Sequence, residues 1–261
     1  MHAWASQQQA PGSLVLVVGA TGGVGQIVTT KLLERGFRVR AIDRGSGRAA
    51  SMFKGRGPEL EIVKADLRDA ATLTPQLMEG VGAVVCSTGT TAFPSTRWDG
   101  NNGPRPTDFV GPSNLIAAVP RSISRFVLVT SAGVERPKGF PWFILNTFGV
   151  LKYKRETELL LQGSGLPYTL IRPNRLTDGP YTSFDLNTLL KSTAGKRQAV
   201  TLSKNDDLPG EASRIAVAEL AVQAMMQEGT ANKAFSISSV EGDGPGTDSA
   251  AWNKLFTGAY R

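Results

Sequence analysis

The sequence predicts an α/β fold, a doubly wound sheet of mostly parallel strands with helices on both faces. Short apolar runs rich in β-branched residues alternate along the chain with segments of helical spacing. The runs lack the polar alternation of a strand with one solvated face, which is typical of strands buried on both sides. The 261 residues contain no internal repeat and no linker before a second apolar core, so we expect one domain.

The first strand is predicted over Leu14–Val18, an apolar run that ends at a glycine, and segment 24–33 then has helical spacing and stops at Gly36. The same reasoning predicts strands at 38–42, 60–65, 83–86, 125–130 and 168–172, and helices at 71–78, 112–118, 150–162 and 250–256. We expect residues 1–12 to form a flexible tail. Residues 13–261 then form the domain, with a small substrate-side lobe at its C-terminal end.

Composition excludes several classes of function. One cysteine and one histidine, His2, give neither a disulfide nor a zinc site, so no metal is expected. No apolar stretch approaches the roughly 20 residues that cross a bilayer, although peripheral membrane association stays open. The net charge of +7 is concentrated between positions 31 and 56 without interleaved aromatics, which favours an anionic cofactor over nucleic acid.

A glycine-rich turn separates the first strand from the first helix, with Gly19, Gly22 and Gly25 at intervals of three. Glycines permit a tight turn and let backbone N–H groups approach a pyrophosphate, which then rests at the positive end of the helix. The strand before, the helix after and the acidic Asp43 downstream complete the context of a dinucleotide-binding site. The sequence therefore predicts a Rossmann-like domain.

The order and spacing of further motifs resemble the atypical short-chain dehydrogenases, over roughly residues 13–240. The closest similarity is to the NmrA-like and TIC 62-like branch of NAD(P)-binding proteins. The motifs that carry the resemblance are the glycine turn, Asp66-Leu67, the Asn114-Leu-Ile-Ala-Ala helix, Val129-Thr-Ser-Ala-Gly133 and Ile171-Arg-Pro173. The resemblance implies a chloroplast location, in the stroma or at the thylakoid surface; a soluble cytoplasmic protein is the alternative.

The resemblance also implies which residues bind the nicotinamide dinucleotide. They are Gly19, Thr21, Gly22, Gly23, Val24 and Gly25 at the pyrophosphate; Asp66 and Leu67 beside the adenine; Ser87, Thr88 and Gly89 along the ribose and nicotinamide; and Pro173 near the carboxamide. Loops 93–106 and 173–188 follow strands and are expected to wall the substrate crevice, with ordinary surface insertions as the alternative.

The choice between NADP and NAD depends on the residues that follow the second strand. Asp43 could accept hydrogen bonds from a ribose diol, whereas Arg44 could pair with a 2′-phosphate. Arg48 adds a second cation, although it could equally be a solvated loop charge. The excess of positive charge, together with the resemblance at Arg44, favours NADP over NAD.

The catalytic residues of the related dehydrogenases are only partly present. The resemblance aligns Ser131 with the substrate-orienting serine and Lys154 with the ribose-binding lysine of a Tyr-x-x-x-Lys pair. Val150 occupies the tyrosine position, and Tyr153 lies about 100° around the helix from Lys154. A strand-end hydroxyl bonded to its own backbone is the alternative for Ser131.

Two functions therefore stay open at the level of sequence. One is an NADPH-dependent reductase of a hydrophobic carbonyl or quinone-like compound, and the other is a non-catalytic NAD(P)-binding redox sensor or scaffold that docks partner proteins. Trp98 and the apolar segment 141–145, which includes Trp142, could line a substrate site, form a docking patch or belong to the core. Cys86 is expected to be a small buried apolar residue.

Overall fold

A computed structural model describes residues 10–176 and 198–261 of the chain. Within those residues the strands form a large sheet in the order β3, β2, β1, β4, β5, β6, β10, β8 and a small sheet of β7 and β9. The strands are β1 Leu14–Val18, β2 Arg38–Asp43, β3 Leu60–Lys64, β4 Val81–Cys86, β5 Arg125–Val129, β6 Tyr168–Pro173, β7 Arg175–Leu176, β8 Ala199–Ser203, β9 Glu211–Ala212 and β10 Lys233–Val240.

The helices lie between these strands. They are α1 Gly25–Glu34, α2 Arg48–Met52, α3 Pro75–Met78, α4 Gly111–Ala118, α5 Trp142–Leu145, α6 Val150–Gly163, α7 Arg214–Met226 and α8 Ser249–Gly258. A π-helical turn, Pro106–Val110, runs directly into α4, and a 3-10 turn, Thr96–Trp98, lies in the loop that precedes it. None of the helices in the described ranges is long and apolar enough to cross a membrane.

The order of the strands reverses beside β1, which pairs in parallel with β2 on one side and with β4 on the other. Ligands of such sheets bind outside the carboxyl ends of the strands at the point of reversal. Here the glycine turn that follows β1 lies next to the segment 87–89 that follows β4. The topology therefore brings together the two segments that the sequence assigns to the cofactor.

Two apolar cores cover the two faces of the sheet. Val15 and Val17 of β1 share one cluster of buried residues with the apolar sides of α1 and α7. Leu16 and Val18 share the other with α4 and α6. All the residues of β1 are buried, because alternate side chains of a strand point to opposite faces and each face carries helices. This arrangement confirms the predicted doubly wound fold.

The C-terminal part of the chain extends the sheet, which the sequence analysis did not predict. Strand β10 pairs in parallel with β6, and β8 pairs in antiparallel with β10 at the edge. Helix α8 packs Trp252 and Phe256 against Phe235 of β10, with ring centroids of Phe235 and Phe256 5.1 Å apart. The indole N–H of Trp252 donates to the carbonyl of Gly246 at 3.0 Å. The C-terminal helix is thus part of the main core.

Several predicted boundaries need correction. The helix predicted at 71–78 is a 3-10 turn, Ala70–Thr72, followed by the single turn of α3, because Thr74 accepts from Leu77 N–H and starts a new helix at Pro75. Loop 93–106 contains the 3-10 turn Thr96–Trp98, and it ends earlier than predicted, since helical structure begins at Pro104. The predicted tail up to residue 9 and most of the predicted loop 173–188, beyond Leu176, lie outside the described residues.

Trp252 provides a test of how far α8 stabilises the fold. Its side chain is 1% exposed, and Trp252→Ala leaves a cavity that the surrounding rings cannot fill. We expect the free energy of unfolding to fall by about 3–5 kcal/mol. Urea denaturation followed by circular dichroism measures this change. The exposed neighbour substitution Lys254→Ala should stay within about 0.5 kcal/mol of the wild type, and equal effects would contradict the assignment.

Candidate cofactor-binding site

The glycine turn is closed by its own backbone. Gly22 N–H donates to the carbonyl of Gly19 at 2.8 Å, and Gln26 N–H donates to the carbonyl of Gly22 at 3.0 Å. Gly19 has φ +80°, a conformation that strongly favours glycine. The end of β4 lies against this turn, since Ser87 N–H donates to the carbonyl of Val18 at 3.0 Å.

A side chain in this turn would collide with the backbone that closes it. A Cβ atom at Gly25 would lie 2.0 Å from the Gly19 carbonyl oxygen and 2.9 Å from Ser87 Oγ. One at Gly19 would lie 3.0 Å from the backbone of Ser87. Only glycine lets the turn, the helix and the end of β4 approach so closely. This close packing of strand, turn and helix is what a pyrophosphate site of this type requires.

The start of α1 carries no competing negative charge. In the described structure Val24 at the N-cap offers no side-chain cap, and the first turn of α1 contains no acidic residue. The N–H groups and the helix dipole together favour an anion at such a terminus. Arg214, at the start of α7, lies against the turn, because a Cβ at Gly23 would come 2.7 Å from its Nε. The sequence analysis missed Arg214, which is remote in sequence and belongs to no motif that we recognised.

At the end of β2, the acidic residue and the basic residues that follow it point to different partners. The Asp43 carboxylate accepts from Ser46 Oγ at 2.8 Å and from Gly47 N–H at 3.1 Å. Arg44 reaches away from this turn and donates to Oδ1 of Asn102. Arg48 lies toward the glycine turn, with Nη2 3.5 Å from the carbonyl oxygen of Thr21. The Asp43 carboxylate thus closes its own turn, and the two arginines extend toward the site.

Positive charge accumulates at this end of the site. Burial lowers the pKa of Arg48, and the nearby cations Arg97 and Arg44 lower it further, while Asp43 opposes them. Cations that are held close together repel one another, and a bound anion relieves that repulsion. This group of arginines is suited to a phosphate.

Asp66 and Leu67 follow β3 as predicted, and both are held in place. The Asp66 carboxylate accepts from Arg68 Nε at 2.9 Å and from Nη2 at 2.5 Å. This hydrogen-bonded pair holds the pKa of Asp66 below its ordinary value. Asn114 Nδ2 donates to the carbonyl of Leu67 at 2.8 Å, so α4 fixes the backbone at the adenine position. Asn114 was part of the recognised motif, but this role was not predicted.

Lys154 lies at the opposite end of the site, beside the segment that follows β4. Its Nζ donates to Asp108 Oδ1 at 2.7 Å, and a Cβ at Gly89 would lie 3.0 Å from that nitrogen. Burial raises the pKa of Asp108, and the neighbouring ammonium opposes the rise. Thr157 Oγ1 donates to the Asp108 carbonyl at 2.6 Å. Lys154 thus lies beside Gly89, in the segment where the sequence analysis expects the nicotinamide ribose, whereas Asp108 was missed.

Cys86 and Thr88 lie in the same region. Cys86 is fully buried at the end of β4, with Sγ 3.4 Å from Thr88 Oγ1. Burial raises the pKa of its thiol, so the thiolate is disfavoured. The expectation that Cys86 is a small buried apolar residue agrees with this environment.

The tyrosine position is filled by an apolar cluster. Val150 is 4% exposed and packs with Val134 and Leu151, against which Trp142 also lies. Tyr153 points elsewhere, toward Phe109, with ring centroids 6.5 Å apart. No phenol therefore stands beside Lys154 in the described site.

Ser131 follows β5, where the alignment with the family requires a substrate-orienting serine. Its hydroxyl donates to the carbonyl oxygen of Ala132 at 2.9 Å. Two residues later, the indole of Trp142 covers Gly133, so that a Cβ atom at this glycine would lie 2.4 Å from the ring. The hydroxyl is therefore engaged with its own backbone in this conformation, as the structural alternative anticipated.

A buried ion pair anchors helix α6 to the sheet. Arg172 donates to Glu158 through Nε at 3.0 Å and through Nη2 at 2.8 Å, and Nη2 also reaches Glu135 at 2.9 Å. Glu158 also accepts from Thr130 Oγ1 at 2.6 Å. Burial lowers the pKa of Arg172, but the hydrogen bonds and charges of Glu158 and Glu135 outweigh it and raise that pKa, so the guanidinium stays charged. Pro173 follows directly and accepts from Ala132 N–H at 2.9 Å.

An aromatic wall borders the nicotinamide side of the site. We use this term for Phe93, Trp98 and Phe148, whose rings meet edge to face with Phe148–Trp98 centroids 5.5 Å apart. Trp98 Nε1 donates to Thr91 Oγ1 at 3.0 Å, which fixes the indole. Phe93 and Phe148 are about half exposed. The wall offers apolar surface to a ligand.

These features define the chain as a Rossmann-like dinucleotide-binding protein. A profile of the family described as NAD(P)H-binding matches residues 19–228. The chain therefore belongs to the NAD(P)H-binding family, in the NmrA-like and TIC 62-like branch of the atypical short-chain dehydrogenases. The predicted family and nicotinamide dinucleotide cofactor are confirmed.

The relatives differ in length and description. Protein TIC 62, chloroplastic, from Oryza sativa subsp. japonica is 40% identical over 61% of this chain, which spans 34% of that protein. For the TIC 62 proteins of Arabidopsis thaliana and Pisum sativum the spanned shares are 32% and 39%. Sanguinarine reductase from Eschscholzia californica is 30% identical over 93% of this chain and 94% of its own length.

Solved structures share the same fold. A candidate NAD-dependent epimerase/dehydratase from Bacillus halodurans superposes with a TM-score of 0.70 at 26% identity. The match covers 90% of this chain and 97% of that protein. The similarity therefore covers most of the fold.

Gly25 offers a direct test of the cradle. Gly25→Ala places a methyl group against the Gly19 carbonyl, so the turn must open and the backbone N–H groups move away from the pyrophosphate. We expect NADPH binding, measured by titration of its fluorescence, to be lost at concentrations that saturate the wild type. Gly163→Ala is the matched control, because a Cβ at Gly163 meets open space at the end of α6. Unchanged affinity in Gly25→Ala would contradict the site.

Proposed function

We propose that the protein is an NADPH-dependent reductase of an apolar carbonyl or quinone-like compound. The single observation that supports this most is the Lys154–Asp108 pair beside Gly89, which holds an ammonium group at the ribose end of the cofactor site. The reductase name of the full-length relative from Eschscholzia californica agrees with this proposal. The names of other relatives, which are described as chloroplastic, support a chloroplast location. Within the chloroplast, we propose the stroma or the thylakoid surface.

The contacts after β2 support NADP over NAD. A carboxylate that selects NAD must be oriented toward the ribose diol. Both oxygen atoms of Asp43 already accept hydrogen bonds from its own turn, from Ser46 and Gly47. Arg44 and Arg48 lie on the same side and bring positive charge that a 2′-phosphate would neutralise.

Arg44→Ala tests this preference. Loss of one charge-assisted hydrogen bond should weaken NADP binding by about 1–3 kcal/mol and leave NAD binding nearly unchanged. Isothermal calorimetry with both cofactors measures the difference. Arg56→Ala removes an exposed arginine of the same basic segment and should affect both cofactors little. A wild type that prefers NAD would show that Asp43 dominates.

Lys154 has two roles in the proposed reduction, and Val150 has none. When bound, the nicotinamide supplies the hydride. Lys154 would hold the ribose, and Asp108 orients its ammonium group through the 2.7 Å hydrogen bond. Val150 has no proton to give, so we propose that Lys154 supplies it in place of a phenol. The phenol that donates this proton in the related dehydrogenases is absent, so turnover should be slow.

The aromatic wall points to the class of substrate. We place the rings of Phe93, Trp98 and Phe148 on the nicotinamide side, where Phe93 and Phe148 are about half exposed and Val150 and Trp142 belong to an adjoining apolar cluster. Such a surface binds flat apolar compounds through burial and ring stacking. To orient a carbonyl, the Ser131 hydroxyl would have to turn away from the Ala132 carbonyl oxygen.

Val150→Tyr tests whether the missing phenol limits turnover. The new hydroxyl would lie on the same helix face as Lys154, four residues away, where the ammonium favours the phenolate. We expect NADPH-dependent reduction of aldehydes, ketones and quinones to rise about tenfold or more, within the range for general acid catalysis. Val150→Phe is the matched control, because it adds the same ring without the hydroxyl.

The outcomes of this screen separate the reductase from its alternative. Slow wild-type turnover that falls in Lys154→Met supports the reductase. No turnover in the wild type and in Val150→Tyr, with tight NADPH binding retained in both, would contradict it.

A second candidate is a cofactor-responsive docking protein without turnover. It is favoured by the apolar surface of segment 140–144, where Phe140 is 80% exposed, Phe143 52% and Ile144 42%. This segment leads through Phe148 into α6, which carries Lys154, so cofactor binding could bias its position. The cofactor would have to bind one arrangement more tightly than the other to regulate anything.

A further inference from the structure

Two arginines converge on one amide oxygen at the adenosine end of the site. Arg44 Nη1 and Arg68 Nη1 both donate to Oδ1 of Asn102, the latter at 2.9 Å. They come from different strand ends, after β2 and after β3, on neighbouring strands of the sheet. A neutral amide oxygen is a weak partner for two guanidinium groups, whereas a phosphate oxygen is a strong one.

The orientation of this amide is fixed by its other atoms. Asn102 Nδ2 donates to the carbonyl of Asp99, so the oxygen atom must face the two arginines. The Asn102 backbone is held separately, since its N–H donates to the Trp98 carbonyl at 2.9 Å and its carbonyl accepts from Thr107 Oγ1. The side chain can therefore turn away without unfolding the loop that carries it.

The Nη1 atoms of Arg44 and Arg68 bind neutral oxygen atoms, although Asp66 pairs with the rest of the Arg68 guanidinium. Asp66 pairs with Nε and Nη2 of Arg68 and leaves Nη1 to Asn102 and to the carbonyls of Gly100 and Asn101. The Asp43 carboxylate, next to Arg44 in the sequence, accepts hydrogen bonds from Ser46 and Gly47 of its own turn. An anion between the two Nη1 atoms would meet donors on both sides.

We propose that Asn102 Oδ1 marks the position of the cofactor's 2′-phosphate, and that Arg68 joins Arg44 in binding it once the Asn102 side chain moves aside. The proposal rests on the NADP preference proposed above. It makes Arg68 a specificity-determining residue, and it makes Asn102 a neutral place-holder that the phosphate displaces.

Asn102→Asp is the sharpest test, because it has the same shape and puts a permanent carboxylate between the two arginines. The probes are adenosine 2′,5′-bisphosphate and adenosine 5′-monophosphate, titrated by calorimetry into the full chain. We expect the affinity for the bisphosphate to fall about tenfold or more, because the carboxylate occupies both donors and repels the phosphate. The affinity for the monophosphate should change less than about twofold, since surface charges at that distance are screened.

Asn101→Asp is the matched control, since it adds the same charge one residue away on an exposed side chain. Arg68→Gln is a second route to the same question and should lower the ratio of bisphosphate to monophosphate affinity. Equal effects of Asn102→Asp and Asn101→Asp, or equal loss of both nucleotides, would overturn the proposal. A wild type that does not prefer the bisphosphate would instead contradict the NADP assignment itself.

Discussion

The close contact between the backbones of Gly19, Gly25 and Ser87 determines how the site is built. It brings the start of α1, the end of β1 and the end of β4 within van der Waals distance of one another. The anion-binding end of a helix and two strand ends can meet in so small a space only where side chains are absent. The other residues assigned to the cofactor lie around this contact.

Helix α6 supplies the other half of the site and is fixed at two positions one turn apart. Glu158 pairs with Arg172 near the carboxyl end of β6, and Lys154 pairs with Asp108 of the π-helical turn. Buried charges are costly unless they are paired and hydrogen-bonded. The two pairs therefore restrict how the helix can rotate, and they keep the ammonium aimed at Gly89 even though Val150 has replaced the tyrosine.

The sequence predicted those parts of the molecule that depend on local pattern. The β1 run, the glycine turn and Lys154 four residues before Glu158 all have a spacing that can be recognised without a structure. Asp108 and Arg214 reach the site through tertiary packing, and nothing in their own segments indicates it. Strand β10 was missed because buried serines interrupt its apolar pattern. The split of helix 71–78 depends on the capping hydroxyl of Thr74.

Helix α7 changes how the net charge of the chain should be understood. Its buried Glu219 lies 2.8 Å from Lys31 of α1 and 2.6 Å from Arg35, which follows α1 as its C-cap. These two cations of the basic segment are therefore internal counter-ions and contribute little to the outer field. Arg44 and Arg48 of the same segment lie at the mouth of the cofactor site. Positive charge at the mouth of a site speeds the diffusional capture of a polyanion, and this effect weakens with ionic strength, so these two arginines should act on the rate of cofactor association.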